Sequence, residues 1–365
     1  MEINLNRRAL LIALGVAGMT LPLSELLASE SGTVVNDDNL LLGCAIDQHK
    51  NYVLGISQIN GTLVTTVPLP SRGHGIAHNI TSNEVAVFAR RPGHYLTIID
   101  SHIWQVKRTI VPDEGRHFYG HGVFSPDGRF LYTTEGISST SQGVIGCYEV
   151  ARGYLKVNEI PAYGIGPHQL TFFDPTTLAI CIGGIQTQGR TVVNLDKMQS
   201  GLNLVSVTGD LLEQSVLTDN KMSIRHIHGN ESTGLLVGLQ EKRVEKLGGS
   251  LLAYFERGRG LIEIEPDDSY WSRFDGYVGS VAQTDQHIIA TSPHGHCFGV
   301  WNKINKQLVR LKPLHEVCGV ASLRNDFYVS SGTGRIKISP TKTDLVSRQS
   351  PVYWDNHMIV IENLS

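Results

Sequence analysis

Five histidines stand at equivalent points of a repeat that runs through this chain, and imidazoles at one repeat position form a metal site if the fold gathers them. The segments are Gly73-His74-Gly75-Ile76-Ala77, Gly120-His121-Gly122-Val123-Phe124, Pro167-His168-Gln169-Leu170-Thr171, Arg225-His226-Ile227-His228 and Asn356-His357-Met358-Ile359-Val360. Two further copies carry Gly279, in Val278-Gly279-Ser280-Val281-Ala282, and Cys318, in Val317-Cys318-Gly319-Val320-Ala321. Neutral imidazole suits iron, copper, zinc and nickel, whereas calcium and magnesium take oxygen ligands. A Cys318 thiolate would shift the preference toward copper(I) or zinc. The expected metal ligands are therefore His74, His121, His168, His226, His357 and Cys318, and the expected ion is iron or copper, with zinc compatible. The competing reading is structural: a Gly-His pair is part of the WD-type repeat itself, and duplication copies a structural histidine as readily as a ligand.

The elements that must position these groups follow from the spacing. The marked positions are 47, 47, 58, 53, 39 and 39 residues apart, and a period of about 40–50 residues is that of a four-stranded propeller blade. Blades are arranged radially, so equivalent points on the innermost strands meet around one axis. Each unit opens with the ring residue on a short strand, passes a polar turn such as Ser125-Pro126-Asp127-Gly128, and enters a strongly apolar strand such as Leu178-Ala179-Ile180-Cys181-Ile182. Apolar runs of this length between turn residues read as buried strands. Ring positions 74, 121, 168, 226, 279, 318 and 357 make seven units. Met358-Ile359-Val360-Ile361 would supply the innermost strand that the N-terminal run Asn39 to Cys44 lacks, closing the ring and removing free sheet edges. The expected fold is all-β, one seven-bladed β-propeller over residues 39–363, closed by its N- and C-terminal strands. Blade four, counted from the start of the chain and containing Leu202 to Lys221, is expected to be the least regular.

The start of each first strand and the end of each second strand share one face of such a disc. That places Arg90, Arg91, Glu135, Gln240, His294 and His296 at the same mouth as the histidines, and convergent polar groups at one opening are what a binding site requires. Glu135 would add an oxygen ligand. As an alternative to a metal-binding role, a mouth-bound metal, or histidine with Glu135, would activate water in a lactonase-like hydrolase, with Arg90 or Arg91 binding an anionic substrate. A non-catalytic protein-interaction scaffold is the third possibility, disfavoured by an aromatic content of only 7%.

Bulk composition narrows the partners. A chain of 365 residues with 41% hydrophobic and 18% charged residues is globular. Its formal charge of -3 gives no reason to expect nucleic acid. Residues 1–30 read as an export signal of twin-arginine type: Arg7-Arg8, an apolar run from Ala9 to Leu23 broken by Gly15 and Gly18, then Ala28-Ser29. The run is too short for a comfortable membrane span, so a periplasmic protein with no membrane span in the mature chain is expected. Five scattered cysteines without a CxxC pair exclude a disulfide scaffold or zinc ribbon.

Over nearly its whole length the chain resembles a family of exported bacterial seven-bladed propellers of unknown function, within the lactonase- and WD-like propellers. The likeness rests on Arg7-Arg8, Arg72-Gly73-His74-Gly75, Gly120-His121-Gly122-Val123-Phe124-Ser125-Pro126-Asp127-Gly128, Gly166-Pro167-His168-Gln169 and Arg225-His226-Ile227-His228. Members of that family are often encoded near imelysin-like, iron-regulated periplasmic proteins, which implies an accessory role in iron or copper acquisition with metal-uptake proteins as partners. A looser similarity is to nitrous oxide reductase, whose propeller holds a copper cluster with channel histidines; Gly279 and Cys318 depart from that pattern.

Overall fold

The structure, a computed structural model, describes residues 39–188, 191–243, 245–265, 269–339 and 346–362. The segment read as an export signal lies outside them. Seven four-stranded antiparallel sheets form the blades of a β-propeller. Among the described residues the only helical pieces are single 3-10 segments at Val150–Arg152, Leu195–Lys197 and Ser269–Phe274, and no helix is long and apolar enough to cross a membrane.

Blade one is the closure: the C-terminal strand Tyr353–Ile361 pairs with Leu40–Ile46, which continues to Tyr52–Gln58 and Leu63–Pro68. The innermost strands of blades two to seven are Gly73–Asn79, Arg116–Phe124, Pro167–Asp174, Met222–His228, Ser280–Gln283 and Val317–Leu323. The second strands Glu84–Ala89, Thr177–Ile182 and Leu235–Glu241 are buried along their whole length, and the others are buried except at their ends. A strand flanked by strands on both sides and by neighbouring blades on both faces loses the alternating pattern and reads as a continuous apolar run. Outermost strands such as Gln105–Ile110 face solvent and stay polar.

Blade four corrects one expectation. Its third and fourth strands, Gly201–Ser206 and Leu211–Val216, are regular. The irregularity lies before them, between Ile182 and Gly201, where Gly183-Gly184 ends the second strand. The chain there makes a small hairpin of Thr187–Gln188 with Thr191–Val192 and then the Leu195–Lys197 turn. Gly184 holds φ +70, and a Cβ there would lie 2.4 Å from the Gln199 carbonyl oxygen. The excursion therefore leaves and returns through a point that only glycine fits.

Candidate metal centre

In each blade that carries one of the five histidines, the innermost strand breaks its pairing where the histidine sits. Register shifts fall between Gly73 and Ile76 around His74, between Phe118 and Gly122 around His121, between Pro167 and Leu170 around His168, and between Ile224 and His226. In blade one the shift lies between Gly43 and Ala45, opposite Asp355 to His357. A bulge releases its residue from strict alternation and re-aims the side chain. Glycines clear the space: a Cβ on Gly75 would lie 2.4 Å from the Gly120 carbonyl oxygen, and one on Gly120, at φ +100, would lie 2.9 Å from His74 Cδ2. His357 itself has φ 83, a backbone state that costs a residue with a Cβ about 1–3 kcal/mol and clusters at functional sites.

The five imidazoles meet. Ring centroids are 4.6 Å apart for His74–His357 and His121–His357, 4.8 Å for His74–His121 and His121–His168, 4.9 Å for His226–His357 and 5.1 Å for His168–His226. The ligand nitrogens of His74, His121 and His168 all lie within 4.8 Å of one another, as do those of His121, His226 and His357. His74 Nδ1, His121 Nε2, His226 Nε2 and His357 Nε2 are buried without a hydrogen-bond partner, and leaving such an atom unmatched costs about 1–3 kcal/mol. His168 Nδ1 lies 3.0 Å from the Arg225 carbonyl oxygen. A carbonyl only accepts, so His168 Nδ1 carries the proton and Nε2 keeps its lone pair, the arrangement that orients a metal-binding histidine. Gln169 Oε1 lies 3.4 Å from His226 Nδ1 in the same sense.

Burial, reinforced by the neighbouring imidazoles and by Arg90 or Arg225, holds His74, His121, His168 and His226 well below the ordinary histidine value. Burial takes His357 down to about 4 against the opposing pull of Asp355. All five rings are neutral at pH 7, the form that binds a metal.

The histidines divide between two cavities. His74, His168 and His226 line one of about 210 Å³ with Arg90, Arg91, Gln240, Arg225, Lys242, Tyr119, Tyr277 and Asn356. His121 and His357 line another of about 250 Å³, whose wall is mostly small or apolar. Of the residues expected at the mouth, Arg90, Arg91 and Gln240 thus share a cavity with three of the histidines. His294, His296 and Cys318 line a neighbouring cavity of about 500 Å³ with Arg72 and Asp355. There His294 stacks on Tyr277 at 4.1 Å, and His296 Nδ1 accepts the Glu316 N–H at 3.1 Å. The Cys318 thiol donates to the Trp354 carbonyl at 3.4 Å, and burial pushes its pKa up to about 12.

Glu135 lies apart from the cluster. It is fully buried in blade three, where it accepts hydrogen bonds from Thr133 and Tyr148, each at 2.7 Å, and from Lys156 at 2.9 Å. A Cβ on Gly146 would lie only 2.0 Å from Glu135 Oε1, so the carboxylate fills the space that glycine leaves on the next strand.

The sequence reading missed Arg225, Lys242, Tyr119, Tyr277 and Asn356. Arg225 and Asn356 immediately precede ring histidines, and strict alternation sends such neighbours to opposite faces; the bulges bring both to one cavity. Lys242 follows Gln240 by two positions at the end of a second strand, a location that was itself legible. Burial, then Arg91, lowers Arg225 to about 9. Burial, then Arg225, Lys246 and Arg91, lowers Lys242 well below the ordinary lysine value.

Residues 67–361 match the model of a family described as "Protein of unknown function (DUF1513)". No curated protein matches the chain. Among solved structures, hydrazine synthase from Kuenenia stuttgartiensis superposes with a TM-score of 0.60 at 14% identity, covering 88% of this chain and 99% of the other. A chain of a mitotic checkpoint complex superposes with a TM-score of 0.58 at 12% identity, covering 78% and 83%. At such identities the likeness is one of fold alone.

Proposed function

The chain belongs to the DUF1513 family of proteins of unknown function, and from that premise we propose that it is a metal-binding propeller holding one transition-metal ion on its five-histidine cluster. The observation that carries this reading is the set of four buried imidazole nitrogens without partners among five neutral rings. His78 and His228 also leave one buried ring nitrogen without a partner; what sets the axial histidines apart is that four such nitrogens are gathered on rings whose centroids approach to within 4.9 Å of a neighbour. The donor set fits iron, copper or zinc and not a hard cation. Both triads contain His121, so one shared ligand argues for one ion. Three metal–imidazole bonds of about 2.0–2.1 Å to one ion put the nitrogens about 3.3–3.6 Å apart, so a triad whose nitrogens lie within 4.8 Å of one another closes by up to about 1.5 Å when the ion binds. A bound ion would supply Lewis-acid or one-electron chemistry at this place.

The hydrolase alternative loses its carboxylate, since Glu135 is held by Lys156 and none of the described residues lining the cavity beside His74 is Asp or Glu. Export to the periplasm and service to metal-uptake proteins complete the proposal; they rest on the Arg7-Arg8 segment and on the resemblance. Elemental analysis of the tag-free chain from an exporting host tests the core of it, beside a His121→Ala/His168→Ala double variant. We expect about one iron or copper per chain, reduced at least tenfold in the variant. A folded, metal-free wild type that takes up no added iron, copper or zinc overturns the reading.

A further inference from the structure

We propose that the cavity beside His74, His168 and His226 is a binding site for a small multivalent oxyanion, either phosphate-like or a short dicarboxylate. This goes beyond the metal reading and does not depend on it, because the groups that would hold the anion are the cations of the lining. Arg90, Arg91, Arg225 and Lys242 converge on a cavity of about 210 Å³, and none of the described lining residues is Asp or Glu. Tyr119, Tyr277, Gln240 and Asn356 complete the wall with hydroxyl and amide groups. A concentration of one sign of charge in an enclosed, poorly solvated space is costly without a counter-ion and strongly attracts one.

Elsewhere among the described residues several cations withdrawn from solvent are met by carboxylates. Lys156 lies 2.9 Å from each of Asp113, Glu135 and Glu159, Arg243 binds Asp219 and Glu241, and Arg72 pairs with Asp355. Arg225 and Lys242 break that pattern. Arg225 is only 5% exposed, its Nε is buried without a hydrogen-bond partner, and it forms no ion pair among the described residues. The Lys242 Nζ donates to the Gln240 side-chain oxygen at 2.7 Å, and it forms no ion pair among the described residues. Arg225 stands immediately before His226, in the bulge that turns both residues to the cavity. Planar guanidinium groups and an ammonium together match phosphate or carboxylate oxygens. The enclosure admits a small ion and excludes a nucleic-acid backbone or a peptide. When the cluster holds its metal, the anion would lie beside three of the same histidines, so each ligand would favour the other.

Titration calorimetry on the chelator-treated full chain decides this, with inorganic phosphate in one arm and malonate in the other. We expect one equivalent per chain of at least one probe, with affinity falling as salt rises. Arg225→Gln and Lys242→Gln should each weaken binding at least tenfold. Metal content, measured on the same variants before chelation and without anion, reads the histidine cluster separately, so the failure of one proposal is distinguishable from the failure of the other. Each of the two glutamine variants removes a buried charge, so its thermal midpoint should equal or exceed that of the wild type; if one misfolds, the other carries the test. Binding in the phosphate arm alone, or the malonate arm alone, identifies the anion class. Wild-type protein that binds neither probe, or binding unaltered in both variants, overturns the proposal.

Discussion

Among the described residues two clusters have the composition of a metal site: the histidines on the propeller axis, and Asp113, Glu135 and Glu159 in blade three. The acidic cluster is complete as it stands, because the Lys156 ammonium occupies the point where a cation would sit, 2.9 Å from a carboxylate oxygen of each residue. Tyr148 and Thr133 satisfy the other Glu135 oxygen. The histidine cluster has the reverse character: its members are far more deeply buried than Asp113 and Glu159, and four ring nitrogens face no partner. Proximity of ligand-type residues therefore says little, and unsatisfied atoms among them say much. A buried polar group without a partner is destabilising by itself, so an arrangement that collects several of them is one that a ligand completes.

Removing the internal cation gives the largest expected effect. Lys156→Met leaves a fully buried Glu135 carboxylate with two more carboxylates beside it, and breaking a buried pair from one side costs about 3–5 kcal/mol. Denaturant unfolding of the metal-free chain should show that loss, while metal content at the histidine cluster stays as in the wild type. Undiminished stability would mean that Lys156 is dispensable and that the contrast between the two clusters is false.

Acid separates the same two regions. Burial first, opposed by Asp355, sets His357 at about 4, and the other four rings are shifted the same way. An unfolded histidine titrates near 6.5, so between these values the unfolded chain binds protons that the folded chain refuses. Stability of the metal-free protein is then full above about pH 6.5 and falls as pH drops toward 4, with His357 contributing at most about 3 kcal/mol of the change. In the acidic cluster, Lys156 and Arg116 outweigh the effect of burial and hold Glu159 below the usual carboxylate value. Its contribution is present above that usual value and is lost only as pH falls through the depressed one. Thermal midpoints from pH 8 to 4 should decline first through the histidine range, and His121→Ala/His168→Ala should flatten that first decline. A midpoint that holds steady down to pH 4.5 would contradict the buried, neutral state of the rings.

The propeller was legible because its signal is periodic: a ring residue, a polar turn and an apolar run recur seven times, and Met358-Ile359-Val360-Ile361 completes the blade begun at Leu40. The five histidines were legible for the same reason. Side-chain direction was not. Alternation along a strand separates Arg225 from His226, and only the bulges, which carry no local signal beyond a neighbouring glycine, bring Arg225, His226 and Asn356 to one cavity. Glu135 ends its second strand at the expected height, but Gly146 on the next strand and Lys156 on the one after draw it into the blade. An equivalent place in the repeat fixes a backbone position, and local partners decide where the side chain goes.

Cys318 gives the smallest effect and the sharpest form of the same comparison. It occupies a ring position, and its strand breaks register between Val317 and Val320 as the histidine strands do. Its thiol nevertheless has partners, donating to the Trp354 carbonyl and lying 3.7 Å from the Ser330 hydroxyl. A pKa pushed up to about 12 by burial keeps it a neutral thiol at pH 7, whereas a metal ligand must be the thiolate. Serine can make the same hydrogen bonds in slightly less space, so Cys318→Ser should shift stability by no more than about 1 kcal/mol and leave metal content unchanged. Elemental analysis of this variant beside His168→Ala isolates what matters, since both residues hold equivalent positions and only the histidine is in its metal-binding protonation state at pH 7. Loss of metal from the serine variant would mean that the thiol swings to the axis when the ion arrives, and that being satisfied in the metal-free fold does not disqualify a ligand.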